Sequence, residues 1–86
     1  MASFSIELSA TAEKQLRKMN QADQLSILRV ISALGNTPRP RGARKLQGYA
    51  DVFRVRVGHY RIIYSIEAKR LVVIILKVGH RKDVYR

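Results

Sequence analysis

Cysteine is absent from this 86-residue chain, which excludes a disulfide framework and any thiolate metal site and fits a reducing cytoplasm. Acidic residues are scarce. The six carboxylates are scattered, with no paired acids, metal-ligand spacing, phosphate loop or Ser/His/Asp arrangement, so no metal or cofactor is expected. Aromatic residues make up 7% of the chain, leaving few platforms on which nucleobases could stack. Long hydrophobic runs are missing as well. Leu71 to Leu76 is apolar but falls far below the roughly 20 residues of a membrane helix, and its Val/Ile content suits a buried central strand. No basic region followed by an apolar run and a small-residue cleavage site marks the chain for export, so a cytoplasmic location is expected. Neither a repeat nor a low-complexity segment interrupts the sequence, and one domain spanning 1–86 is expected.

What the chain does hold is positive charge, +11 in all. Residues 1–35 carry a net +1 and residues 36–86 a net +10. Such asymmetry points to a polyanionic partner: nucleic acid first, an acidic protein second, an anionic membrane a distant third. No strongly amphipathic basic helix supports membrane attachment.

The basic half contains one conspicuous pattern. Phe53 to Tyr64 alternates apolar and polar residues on both sides of Gly58-His59, the signature of a β-hairpin with a two-residue loop, and glycine in first place suits a type II′ turn. That loop sets Val57 against Tyr60 and Arg56 against Arg61. Phe53, Val55, Val57, Tyr60, Ile62 and Tyr64 then share a core face, while Arg54, Arg56, Arg61, Ile63 and Ser65 share the other. Opposed like charges in a sheet repel. Three arginines kept together regardless make a site for an anion; the plainer alternative is a solvated face made basic for solubility.

Around the hairpin the elements read as follows. Phe4 to Leu8 alternates as a first strand, and Ser9 caps a helix with Glu13 in its first turn and Ala12, Leu16 and Met19 at helical spacing. Asn20 caps a second helix with Asp23 near its positive end and Leu25, Leu28, Ile31 and Leu34 as its apolar stripe, stopping at Gly35-Asn36. Thr37 to Lys45 is a basic loop stiffened by Pro38 and Pro40, either an ordinary connection or a phosphate contact through Arg41, Arg44 and Lys45. Glu67 to Arg70 turns the chain into the buried strand Leu71 to Val78. The two helices form a hairpin whose apolar stripes need the sheet's apolar face.

Val78 to Arg86 gathers His80, Arg81, Lys82 and Tyr85. Metal-free RNA cleavage needs a base for the 2′-hydroxyl, positive charge over the phosphorane and an acid for the leaving 5′-oxygen. Arginine suits the middle task and cannot be the base. His80, Tyr85 and His59 are the titrating candidates, with Lys45 and Lys82 behind them; His59, beside a turn, is the weakest of the three.

Lys45-Leu46-x-Gly48, Phe53-Arg54-Val55-Arg56, Gly58 to Tyr64 and Val78 to Tyr85 together resemble a RelE-type toxin of a type II toxin–antitoxin pair, over nearly the whole chain. The resemblance implies an α+β fold with two N-terminal helices packed on one face of a largely antiparallel sheet, here four strands. It implies a ribosome-dependent endonuclease that cuts mRNA in the decoding A site, held in a hetero-oligomer with a cognate antitoxin that wraps it. Charge and an exposed sheet edge make that partner acidic, with an amphipathic helix. Carried over by position, the site residues are Arg54, Arg56, Arg61, Arg81 and Tyr85, with Arg61 and Arg81 on the scissile phosphate and Tyr85 stacking on a base or moving a proton. The best-known relatives carry lysines where Arg54 and Arg56 stand, so His80 or Tyr85 inherits the task of base. Two alternatives share the surface: a ParE-like inhibitor of DNA gyrase, and a non-catalytic RNA-binding module.

Overall fold

Five strands and two helices follow one another in a computed structural model that describes residues 3–80. They are β1 (Ser5–Leu8), α1 (Ala10–Arg17), α2 (Gln21–Leu34), β2 (Arg44–Lys45), β3 (Val52–Val57), β4 (Tyr60–Glu67) and β5 (Val72–His80). The strands form one sheet in the order β1-β5-β4-β3-β2. All neighbours are antiparallel except β1, which runs parallel to β5. The expected four strands become five because Arg44 and Lys45, at the end of the basic loop, pair with Arg54 and Phe53.

Both helices start where a side chain replaces the missing hydrogen-bond acceptors of the first turn. Ser9 Oγ accepts from the Ala12 N–H at 3.0 Å, and Asn20 Oδ1 accepts from the Asp23 N–H at 2.8 Å. Helix α2 stops at Gly35, where a side chain would meet the Phe4 carbonyl oxygen at 2.9 Å; that contact brings the helix end against the start of β1. The buried stripe of α2 is Ile27, Ile31 and Leu34, with Val30 partly buried. This corrects the expected stripe: Leu25 and Leu28 are exposed, at 51% and 39%. At 3.6 residues per turn Leu25 lies roughly 160° round the helix from Ile27, so spacing by three alone drifts off the core-facing side.

One face of the sheet packs on these helices. Phe53, Val55, Ile62, Tyr64, Ile66, Val73, Ile75 and Val78 meet Ala12, Leu16, Ile27, Ile31 and Leu34 in a continuous core. Where β1 ends, α1 takes over the exposed edge of β5. The Ser9 N–H donates to the Ile75 carbonyl, Ser9 Oγ donates to the Leu76 carbonyl at 2.7 Å, and Gln15 Oε1 accepts from the Val78 N–H at 2.6 Å. Backbone groups that a strand would have paired are thereby satisfied by two side chains and one amide. The register shifts between Ile63 and Tyr64, which pair with Lys77 and Ile75. The extra residue, Leu76, is a bulge that restores the core-facing alternation after it.

Candidate nucleic-acid interface

The hairpin has the expected register, with Val57 opposite Tyr60 and Arg56 opposite Arg61. Gly58 has a φ of +60° and His59 does not share it, as a type II′ turn requires. Residues flanking a two-residue loop form a hydrogen-bonded pair, so Arg56 and Arg61 form the next, non-hydrogen-bonded one, with Cα atoms only ~4.5 Å apart. The two guanidinium groups therefore spring from the closest type of cross-strand pair.

Register extends this face across four strands. Arg44 on β2 lies opposite Arg54, Arg54 opposite Ile63, Ile63 opposite Lys77, and Arg61 opposite Gly79. Opposed residues share a face, so Arg44, Arg54, Arg56, Arg61 and Lys77 all project away from the helices. Lys77 was not anticipated; its signal was the single charge inside an otherwise apolar strand. This face is also less open than alternation alone implies: Ile63 is 7% exposed and Arg61 6% exposed. Arg61 thus lies at the floor, beside a glycine with no side chain to fill the space, and Arg44, Arg54 and Arg56 stand higher. Gly42, Arg44, Arg54, Val55 and Arg56 line a cavity of about 370 Å³, with three guanidinium groups and no carboxylate among them. The paired N–H donors of such a cradle suit the oxygens of an oxyanion.

The remaining sequence candidates separate. Arg81, Lys82 and Tyr85 lie outside the described residues. Lys45 is exposed opposite Phe53, and therefore not on the arginine face. His80 pairs with Tyr60, so it stands on the helix side. There its ring stacks on His59 at 6.2 Å between centroids and meets Tyr60 edge-on at 6.0 Å. Asp23, Ser26 and Ile27 join these three residues around a cavity of about 330 Å³ at the hairpin tip. The Tyr60 hydroxyl donates to Asp23 Oδ2 at 2.8 Å, tying the tip to the start of α2. That hydrogen bond raises the Tyr60 pKa above its ordinary value, with burial and the Asp23 charge adding to it. Among the described residues no group of three metal-ligating side chains comes together, and no helix is long and apolar enough to cross a membrane.

The basic loop before β2 is fastened rather than loose. Tyr64, fully buried, donates its hydroxyl to the Pro38 carbonyl at 2.7 Å, and the Arg39 guanidinium sits 5.0 Å from the centre of the Phe53 ring. Burial pushes the Tyr64 phenol up to about 12, with the Arg39 charge pulling the other way. Arg41 is carried by this loop to a second cavity, of about 500 Å³, lined by Arg29, Val30, Ala33, Leu34, Thr37, Pro40, Val55 and Arg56 as well. Arg56 lines both arginine cavities.

A helix pair on one face of a largely antiparallel sheet is an architecture that known proteins share. The family described as "ParE toxin of type II toxin-antitoxin system, parDE" matches residues 6–85. The chain belongs to the RelE/ParE toxin superfamily and is RelE-type. Toxin RelG of Mycobacterium tuberculosis is 29% identical over 84 residues, covering 96% of this chain and 97% of that protein. The toxin–antitoxin complex RelBE2 of the same organism contains a chain that superposes with a TM-score of 0.83 at 28% identity, covering 96% of this chain and 97% of that one. The archaeal RelE–RelB complex of Pyrococcus horikoshii gives a TM-score of 0.83 at 30% identity, covering 95% and 99%. The α+β RelE-like fold is thus shared along the full described sheet.

Proposed function

We propose that this toxin is a ribosome-dependent, metal-free endoribonuclease that cuts mRNA in the A site. One observation carries the reading: Arg54, Arg56 and Arg61 converge on a single sheet face, with Arg61 buried at its floor. In the reaction the 2′-oxygen of one nucleotide attacks the adjacent phosphorus and the bond to the 5′-oxygen of the next breaks, leaving a 2′,3′-cyclic phosphate. The 2′-proton leaves to a base and the departing 5′-oxygen takes one up, so no water or metal is consumed. Negative charge builds on the non-bridging oxygens at the phosphorane. Fixed guanidinium donors in a partly desolvated site stabilise that charge without reorganising, and Arg61, the most buried, has the largest effect of the described three.

Arginine holds its proton too tightly to be the base. With His80 turned to the helix side beside Tyr60, proton transfer falls to Tyr85, and Arg81 completes the phosphate site. Arg44 joins Arg54 and Arg56 in gripping a flanking phosphate, and Lys45, Arg41 and Lys82 contribute longer-range attraction to RNA. The protein acts in the cytoplasm, where the ribosome holds message in its A site.

Its partner is a cognate antitoxin, as the relatives in the RelBE2 and archaeal RelE–RelB complexes are bound to theirs. An acidic segment over the arginine face would neutralise the site, in a toxin–antitoxin hetero-oligomer. If the product of the neighbouring gene neither co-purifies nor restores growth, that partner is wrong.

The test is primer extension on ribosomes programmed with a defined transcript, with and without translation. Cuts confined to translated frames and ending in 2′,3′-cyclic phosphate support the reading, and Arg61→Ala should remove them without unfolding the protein. The ParE description of the matching family favours a second reading, inhibition of DNA gyrase. Loss of supercoiling activity with no cut message would decide for it.

A further inference from the structure

The cavity of about 500 Å³ between α2 and β3 joins Arg56 of the proposed cleavage face to Arg41 and to parts that the cleavage reading does not use, Arg29 and the apolar side chains of α2. Its floor is apolar, from Val30, Ala33, Leu34 and Val55, and its rim carries three guanidinium groups, those of Arg29, Arg41 and Arg56. No carboxylate lines it. Strand β2 pairs only with Phe53 and Arg54, so among the described residues the edge of β3 is open from Val55 onward, and Arg56 lines the cavities on both sides of that edge. The loop bearing Arg41 is pinned by the Tyr64 hydroxyl on Pro38 and by Arg39 over Phe53. This rim is therefore set before any ligand arrives. An apolar floor with charged donors at its border matches one nucleotide, whose base has two apolar faces and whose phosphate takes paired N–H donors. The volume falls within the ordinary range of small-ligand sites.

We infer that this cavity is a nucleotide subsite for single-stranded RNA, taking the base of the nucleotide that flanks the scissile linkage and holding its phosphate between Arg29 and Arg41. Arg56 is the bridge, shared by the flanking and the scissile phosphates across the open edge of β3. The inference rests on the cleavage reading, and it goes beyond it by naming a second phosphate contact from α2. An acidic protein segment would also find positive charge here. Direct continuity with the arginine face, through Arg56, favours a strand that runs from one cavity into the other.

The experiment uses the full chain and a trinucleotide methylated at every 2′-oxygen, which binds but cannot be cut. Affinity is measured against salt for the wild type, Arg29→Gln, Arg41→Gln and Ala33→Phe, three exposed positions whose substitution leaves the core alone. Each arginine variant should bind several-fold more weakly, and its salt slope should fall by about 0.7, one single-strand phosphate contact. Ala33→Phe, which fills the floor without changing charge, should weaken binding with the slope unchanged. Message cutting by the wild type on programmed ribosomes is measured alongside. Wild-type-like trinucleotide binding by the three variants, in a protein that does cut message, overturns the subsite and leaves the cleavage reading standing. A wild type that cuts no message overturns the cleavage reading itself. If the arginine variants lose only their hold on the antitoxin, the cavity belongs to an acidic protein segment and the inference fails.

Discussion

The two faces of the sheet contrast sharply in composition though they alternate residue by residue along the same strands. Toward the helices stand Phe53, Val55, Ile62, Tyr64 and Val78, all buried; away from them stand Arg44, Arg54, Arg56, Arg61 and Lys77. The first set removes apolar area from water, at roughly 25 cal/mol per Å². The second set places like charges on neighbouring strands, where they repel one another and oppose folding. The first face supplies most of the apolar burial, and the second is the face to which the proposed function assigns RNA.

Substitutions on the two faces should behave differently, and the largest separation is expected at neighbouring positions of β4. Arg61→Ala should lower message cutting by a factor of 10² to 10³, about 3 to 4 kcal/mol of transition-state stabilisation, as for other fixed donors to a developing oxyanion. Single-turnover cleavage on programmed ribosomes measures it. Its neighbour Ile62 is fully buried on the other face, and Ile62→Ala should cost about 2 to 5 kcal/mol of stability in urea denaturation. Should both variants lose stability and activity in the same proportion, the division between the faces is false.

Tyr64 sharpens the contrast by its pH dependence. Its phenol is pushed up to about 12 in the fold against about 10 in an unfolded chain. The folded state thus favours the neutral form. Its contribution is full below pH 10 and is lost as pH rises toward 12, on the order of 2 kcal/mol by linkage. Tyr64→Phe should flatten the decline in thermal midpoint over that window, whereas an unchanged decline would assign it to other groups. At the start of α2 the expected effect is smaller. Asn20→Ala removes the α2 cap and should cost about 1 kcal/mol, read as a lower urea midpoint.

Legibility in the sequence followed the range of the interaction. The hairpin register, both helix caps and the strand that became β5 were readable, because a period of two, a capping residue or an apolar run is written locally. Strand β2 was not, since Arg44 and Lys45 have no pattern of their own and become a strand only by pairing with β3. Nor was the parallel placing of β1, which depends on β5 far along the chain. Alternation assigned Arg61 and Ile63 to the correct face yet could not tell that they are buried there. The bulge at Leu76 hid inside a continuous apolar run, where slipping by one residue leaves no trace. His80 was grouped with the arginines by nearness in sequence; pairing with Tyr60 put it on the opposite side. Arg29, on α2, reaches its cavity through a tertiary contact that no local spacing announces.

The most direct test replaces Arg54 and Arg56 by alanine together and follows cleavage on programmed ribosomes and the urea midpoint in the same preparation. With two cations removed from half-buried and exposed positions, stability should stay within about 0.5 kcal/mol of the wild type or rise slightly, while cutting falls at least a hundredfold. Undiminished cutting, or a loss of stability large enough to explain the loss of activity, would contradict the assignment of one face to folding and the other to RNA.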